Sequence, residues 1–123
     1  MANSSPPYSN LAGSGGLAGL VLAAGSGQRF GGPKAPFVCE NERLVDRSVR
    51  ILRESGVATV FVVLGAWIGE VSHATVLENP DFATGMASSL RAGLEHLTTD
   101  EPEVDRVVIT LVDHIGLSVE GLT

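Results

Sequence analysis

At 123 residues, with 44% hydrophobic and 18% charged residues, the chain has the size and composition of one globular domain, and it carries no apolar run long enough for a membrane span. Its formal net charge of −6 argues against nonspecific nucleic-acid binding, which needs clustered Lys and Arg to displace counterions from phosphates. The single cysteine, Cys39, excludes an intrachain disulfide and a paired-cysteine zinc module, and reads as a small apolar packing residue.

Residues 1–15 are rich in Ser, Pro, Asn and Gly without apolar periodicity, which predicts a flexible tail. The start MANSSPPYSN has neither a basic nor an apolar signal region, so a soluble, cytoplasmic protein is the expectation. Residues 16–123 then make the one domain. Its first element is LAGLVLAA, Leu17 to Ala24, a continuous apolar run suited to a strand buried on both faces, as in parallel sheets.

The loop that follows, AGSGQRFGGPK, has glycine at 25, 27, 31 and 32. It is neither a dinucleotide fingerprint, since Phe30 stands where the third glycine is needed, nor a P-loop, since Pro33 and Ala35 flank Lys34. What it offers is backbone amides that a ligand can approach closely, together with Arg29 and Lys34, the chain's one lysine. Amide donors, a forked guanidinium and a compact ammonium together suit a polyphosphate. The A-G-S-G of Ala12 to Gly15 spells the same letters but follows no strand and leads to no cation, so it reads as tail.

In ERLVDRSVRILRESG, Val45, Val49 and Leu52 recur at helical spacing beside Leu44 and Ile51, with Asp46 four before Arg50 and Gly56 as a stop. This predicts an amphipathic helix of about three turns with a solvated arginine face. Thr59 to Leu64 reads as a second buried strand, WIGEVSH as a short helix or turn, and Thr75 to Glu78 as a third strand stopped by Asn79-Pro80. GMASSLRAGLEHL predicts a helix with Met86, Leu90, Leu94 and Leu97 on one face and Ser88 and Ser89 in the first turn, where they cap the helix or bond a ligand admitted by Gly85. Val107 to Val112 is the fourth strand, closing on Asp113. His73 and His96 read as surface or helix-end residues, and His114 has only its neighbour Asp113 to recommend it.

Strands alternating with helices predict an α/β fold with a mainly parallel sheet sandwiched by helices. In such a sheet ligands gather outside the carboxyl ends of the strands, where the glycine loop, the turn NPDFATGMASS and Asp113 all fall. A carboxylate facing phosphates there has the chemistry of a Mg²⁺ ligand.

LAAGSGQRFGGPK, Leu22 to Lys34, resembles the L-A-A-G-x-G-x-R-[MF]-G-x-P-K signature of MobA/MocA-like nucleotidyltransferases of the molybdenum-cofactor type. NPDFATGMASSLRAGL looks like the corresponding cytidylyltransferase segment, and ITLVDHIGLS sits where the family has a metal-binding aspartate. The resemblance implies a Rossmann-like nucleotidyltransferase fold. It also implies transfer of a CMP or GMP moiety from an NTP to the terminal phosphate of an acceptor such as molybdopterin, with release of pyrophosphate. Carried over, Leu22, Ala23, Ala24, Gly25, Ser26 and Gly27 hold the nucleotide with Gly85, Ser88 and Ser89, while Arg29 and Lys34 are catalytic on the triphosphate and Asp113 binds Mg²⁺. Ala24, where guanylyl-type members usually have glycine, favours CTP over GTP, and a molybdoenzyme or its chaperone is the implied protein partner.

Two features depart from the family. Ile115 stands where a proline is usual, and relatives continue past the position of Thr123 with acceptor contacts and a second acidic ligand, so the chain reads as the nucleotide-binding part of a longer domain. The alternatives are a sugar-phosphate or other small-phosphate nucleotidyltransferase, and a non-catalytic nucleotide-binding or structural remnant.

Overall fold

Seven consecutive residues, Leu17–Ala23, form β1, and all are buried. This strand is the axis of the computed structural model, which describes residues 16–27 and 31–112. In chain order follow β2 (Val38–Cys39), β3 (Glu42–Arg43), α1 (Leu44–Glu54), β4 (Thr59–Leu64), β5 (Thr75–Glu78), a 3-10 turn at Phe82–Thr84, α2 (Met86–Asp100) and β6 (Arg106–Leu111). The tail 1–15, Arg29, Asp113, His114 and Ile115 lie outside the described residues.

β1 pairs in parallel with β4 on one side and β6 on the other, and β4 pairs in parallel with β5, giving the order β5-β4-β1-β6. The unbroken apolar run of β1 is explained by this central place, because a strand covered on both faces has no solvent side to make polar. Leu17, Val21 and Ala23 join Val60, Val62 and Leu64 beneath Val45, Val49 and Leu52 of α1. On the other face Ala18, Leu20, Leu22 and Ala24 join Phe61, Val63 and Leu97 of α2. The expected parallel sheet between two helical layers is therefore present.

Two glycines set how closely the helices approach. A Cβ on Gly19 would stand 2.8 Å from Leu52 Cδ1, and one on Gly93 would stand 2.7 Å from Leu20 Cδ2, so each face has a leucine seated where a side chain is missing. This corrects the expected face of α2. Its buried line is Ser89, Gly93 and Leu97, whereas Met86 is 58% exposed and Leu94 is also exposed, with Leu90 packed partly against the cluster. Leu97 and, in part, Leu90 of the expected stripe do face the core, but close backbone approach through Gly93 turns Met86 and Leu94 outward.

Other differences are local. β1 ends one residue earlier than read, β6 runs Arg106–Leu111 in place of 107–112, and WIGEVSH contains turns and no helix. The antiparallel hairpin β2–β3 is too short to leave a periodic trace. Cys39 lies on that hairpin and is only partly covered, so it is not a core packing residue. Asp46 pairs with Arg43, whose Nε and Nη2 donate to its two oxygens at 2.6 and 3.0 Å, and not with Arg50. Arg50 instead forks onto Glu42 at 2.9 and 3.0 Å and reaches Glu54. That guanidinium holds the Glu42 carboxyl below its ordinary pKa, and Asp46 raises that of Arg43.

Arg43 also donates to the Glu70 carbonyl at 2.8 Å and lies 5.3 Å from the Trp67 ring centroid, so it joins α1 to the loop after β4. The helix stops as expected, with Gly56 in the left-handed region at φ 101° and Val57 N–H donating to Leu52 O. His73 is exposed, as expected, but His96 is partly buried against Phe61 and bridges to Asp100 and Glu101. Among the described residues, no helix is long and apolar enough to cross a membrane.

Candidate functional site

Parallel strands bring their carboxyl ends to one edge, and there the chain leaves β1 through Ala24, Gly25, Ser26 and Gly27. Ala24 is still buried, and its carbonyl accepts the Ala66 N–H at 3.0 Å, which pins the exit from β1 to the exit from β4. Gly65 makes this possible: a Cβ there would stand 2.6 Å from Phe82 Cβ and 2.9 Å from Ala24 Cβ.

The loop then closes on Gly27. The Gly27 carbonyl accepts the N–H groups of Gly31 at 2.9 Å and Gly32 at 3.0 Å. Gly27 has φ 64°, and a Cβ on it would overlap the Gly32 carbonyl oxygen, so no other residue fits this closure. Gly25 differs in kind. It has no left-handed φ, and a Cβ on it would meet nothing within 4 Å among the described residues. Of the loop's four glycines, 27, 31 and 32 adopt positive φ and Gly25 does not.

Beyond the closure, Lys34 O accepts the Phe37 N–H at 3.0 Å and Ala35 O accepts the Val45 N–H at 3.1 Å. The lysine is thereby placed by backbone bonds that reach the start of α1. It lines a cavity of about 150 Å³ with Leu22, Ala23, Gly25, Gly27, Met86, Leu111 and Val112. A neighbouring cavity of about 430 Å³ is lined by Leu22, Ala24, Gly25, Ser26, Phe82, Ala83, Gly85, Met86 and Ser89. The two share Leu22, Gly25 and Met86, so they form one cleft with a lysine at one end and the start of α2 at the other.

Gly85 is the N-cap of α2, has φ 118°, and supplies no side-chain cap. The 15-residue helix thus directs the positive end of its dipole toward the cleft. Among the described residues lining either cavity, Lys34 is the one charged side chain, and no carboxylate is present. That environment favours an anion.

Of the residues singled out in the sequence, Leu22 through Gly27, Lys34, Gly85 and Ser89 are brought to this cleft. Ser88 lines neither cavity. Its hydroxyl lies 2.7 Å from Gly85 O and 3.0 Å from Asp81 O and accepts from Asn79 Nδ2 at 2.9 Å, so it serves the turn. Arg29 and Asp113 fall outside the described residues, though Val112, the residue before Asp113, is on the cavity wall. No group of three or more His, Cys, Asp or Glu suited to a metal occurs among the described residues.

The sequence placed the turn NPDFATGMASS at the ligand edge but singled out only Gly85, Ser88 and Ser89 within it, so the structure adds Met86, Phe82 and Ala83 as walls and Asn79 behind them. Met86 had been assigned to the core by its spacing. Its position directly after the helix-capping Gly85 was the available signal.

A probable molybdenum cofactor guanylyltransferase of Opitutus terrae is 47% identical over 47 residues, which is 38% of this chain and 23% of that protein. The crystal structure of Rv0371c from Mycobacterium tuberculosis H37Rv matches with a TM-score of 0.65 at 22% identity, over 88% of this chain and 57% of that one, a likeness of fold. The chain therefore spans only part of the length of each. Residues 19–122 match the MobA-like NTP transferase domain, which takes in both helices, the described cleft lining and all but the first two residues of the sheet. The chain belongs to the family of MobA-like NTP transferase domains.

Proposed function

We propose that the cleft binds a nucleoside triphosphate as donor in a nucleotidyl transfer. The triphosphate lies along Gly25 to Gly27 and Lys34, and the nucleoside lies in the larger cavity against Gly85, Met86 and Ser89. The observation that carries this reading is Gly25: its backbone does not need glycine and its missing side chain leaves open space at the junction of the two cavities. A ligand pressed against the backbone accounts for that space.

In the reaction, an oxygen of the acceptor's terminal phosphate attacks the α-phosphorus. A new P–O bond forms as the bond to the bridging oxygen breaks, and pyrophosphate leaves with that electron pair. Lys34 and Arg29 offset the charge carried by the phosphates, and the loop amides fix their position. Asp113, which lies outside the described residues, is the carboxylate that would hold Mg²⁺, and the ion would supply neutralisation of phosphate charge. The acceptor class is a phosphorylated pterin such as molybdopterin.

The Opitutus relative is named a guanylyltransferase, so GTP, and not the CTP suggested by Ala24, is the first donor to test. The test is pyrophosphate release from GTP and from CTP in Mg²⁺ with molybdopterin and with sugar phosphates as acceptors. Release that requires molybdopterin supports the proposal. Release with a sugar phosphate alone moves the chain to the other acceptor class.

A further inference from the structure

We propose that Asn79 is the positioning residue that holds the nucleoside end of the cleft in shape. The inference rests on the nucleotide reading above and concerns a residue that lines neither cavity. Asn79 follows directly on β5 and is only 4% exposed, yet it is polar. A buried amide of this kind is costly unless its donors and acceptor are all used.

They are used on three separate pieces of chain. The backbone N–H donates to Leu64 O at 2.7 Å, which fixes Asn79 to the end of β4. Oδ1 accepts the Asp81 N–H at 2.9 Å, which shapes the turn. Nδ2 donates to Ser88 Oγ and Ser89 Oγ, both at 2.9 Å, which fastens the first turn of α2. The side chain therefore joins the turn to the helix start, while the backbone N–H of the same residue ties both to the sheet. Phe82, Ala83, Gly85, Met86 and Ser89, five of the nine residues lining the larger cavity, stand on the pieces so joined. In the smaller cavity beside Lys34, Met86 is the one wall that depends on them.

This asymmetry predicts a selective effect. Loss of the Asn79 amide should loosen the wall that meets the nucleoside and spare the loop that meets the phosphates. The experiment titrates the full 123-residue chain with GTP, CTP and inorganic tripolyphosphate in Mg²⁺, comparing wild type with Asn79→Ala. The expected result is nucleoside triphosphate affinity about tenfold weaker, with tripolyphosphate affinity held within about twofold.

Equal loss for nucleotide and tripolyphosphate, or no loss for either, overturns the inference, because a merely structural role would move both together. Should Asn79→Ala fail to fold, Ser88→Ala removes one of the two Nδ2 acceptors away from the cleft. It should reproduce the selective loss in smaller degree, and Ser88→Thr, which keeps the hydroxyl, should restore binding. Unchanged nucleotide affinity in Ser88→Ala counts against the inference. A wild-type chain that binds none of the three probes overturns the nucleotide reading itself, and this inference with it.

Discussion

Replacing Gly25 by alanine adds one methyl group at the junction of the two cavities, where, among the described residues other than its chain neighbours, it would meet no atom within 4 Å. The backbone there is not left-handed, so the folded state carries no strain from the change. The unfolded chain loses freedom, so Gly25→Ala should leave stability unchanged or raise it by up to about 1 kcal/mol. A melting curve should show the same midpoint or one a few degrees higher. Binding should behave in the opposite way. A methyl group forced between the backbone and a bound phosphate costs about 1–3 kcal/mol if it resembles overpacking of a core, which weakens affinity by about tenfold to a hundredfold. Calorimetric titration of GTP and CTP in Mg²⁺ measures this directly. Affinity equal to wild type in a folded Gly25→Ala protein would refute the reasoning, because the space beside Gly25 would then have no ligand to serve.

Four further outcomes follow from the same geometry. Gly27→Ala should lose both binding and stability, since a Cβ there overlaps Gly32 O and breaks the closure made by the Gly31 and Gly32 amides; a lowered melting midpoint together with absent titration heat would show it. Lys34→Ala should abolish measurable triphosphate binding in a chain that still folds, as the ammonium is the one charged group on the described cleft wall; circular dichroism with titration calorimetry would show it. Leu52→Ala removes a side chain that is only 1% exposed and seated on Gly19, so chemical denaturation should report a loss of about 2–5 kcal/mol. The Glu42–Arg50 pair is partly exposed and worth at most about 1 kcal/mol. Because Arg50 lowers the Glu42 pKa, that contribution is complete above the ordinary carboxyl pKa of about 4.3 and fades as pH falls through the lowered value. Glu42→Gln should therefore melt lower than wild type at neutral pH and converge with it in acid.

The sheet was legible because its two central strands are buried on both faces, which leaves apolar runs at Leu17–Ala23 and Thr59–Leu64. α1 was legible because its buried residues Val45, Val49 and Leu52 are also its apolar ones. α2 was misread for the opposite reason: two of its three buried residues, Ser89 and Gly93, are not apolar. Gly93 earns burial by what it lacks, and Ser89 by a bond to Asn79 that only the fold brings within reach. Asn79-Pro80 was correctly read as the end of a strand, but an asparagine's three partners at 64, 81 and 88–89 leave no local trace. The glycine loop was found through its cations and its resemblance to known loops. Which of its glycines the backbone requires was decided by the positions of Gly32 O and of open space, and neither is written in the sequence.

The central claim is that the groove between Lys34 and the start of α2 is a nucleoside triphosphate site. Its most direct test is calorimetric titration of the wild-type chain with GTP and with CTP in millimolar Mg²⁺, repeated on Lys34→Ala. A nucleoside triphosphate site there gives saturable one-to-one binding of at least one nucleotide to the wild type and none to the variant. Failure of both nucleotides to bind the folded wild type, or equal binding by the variant, would contradict it.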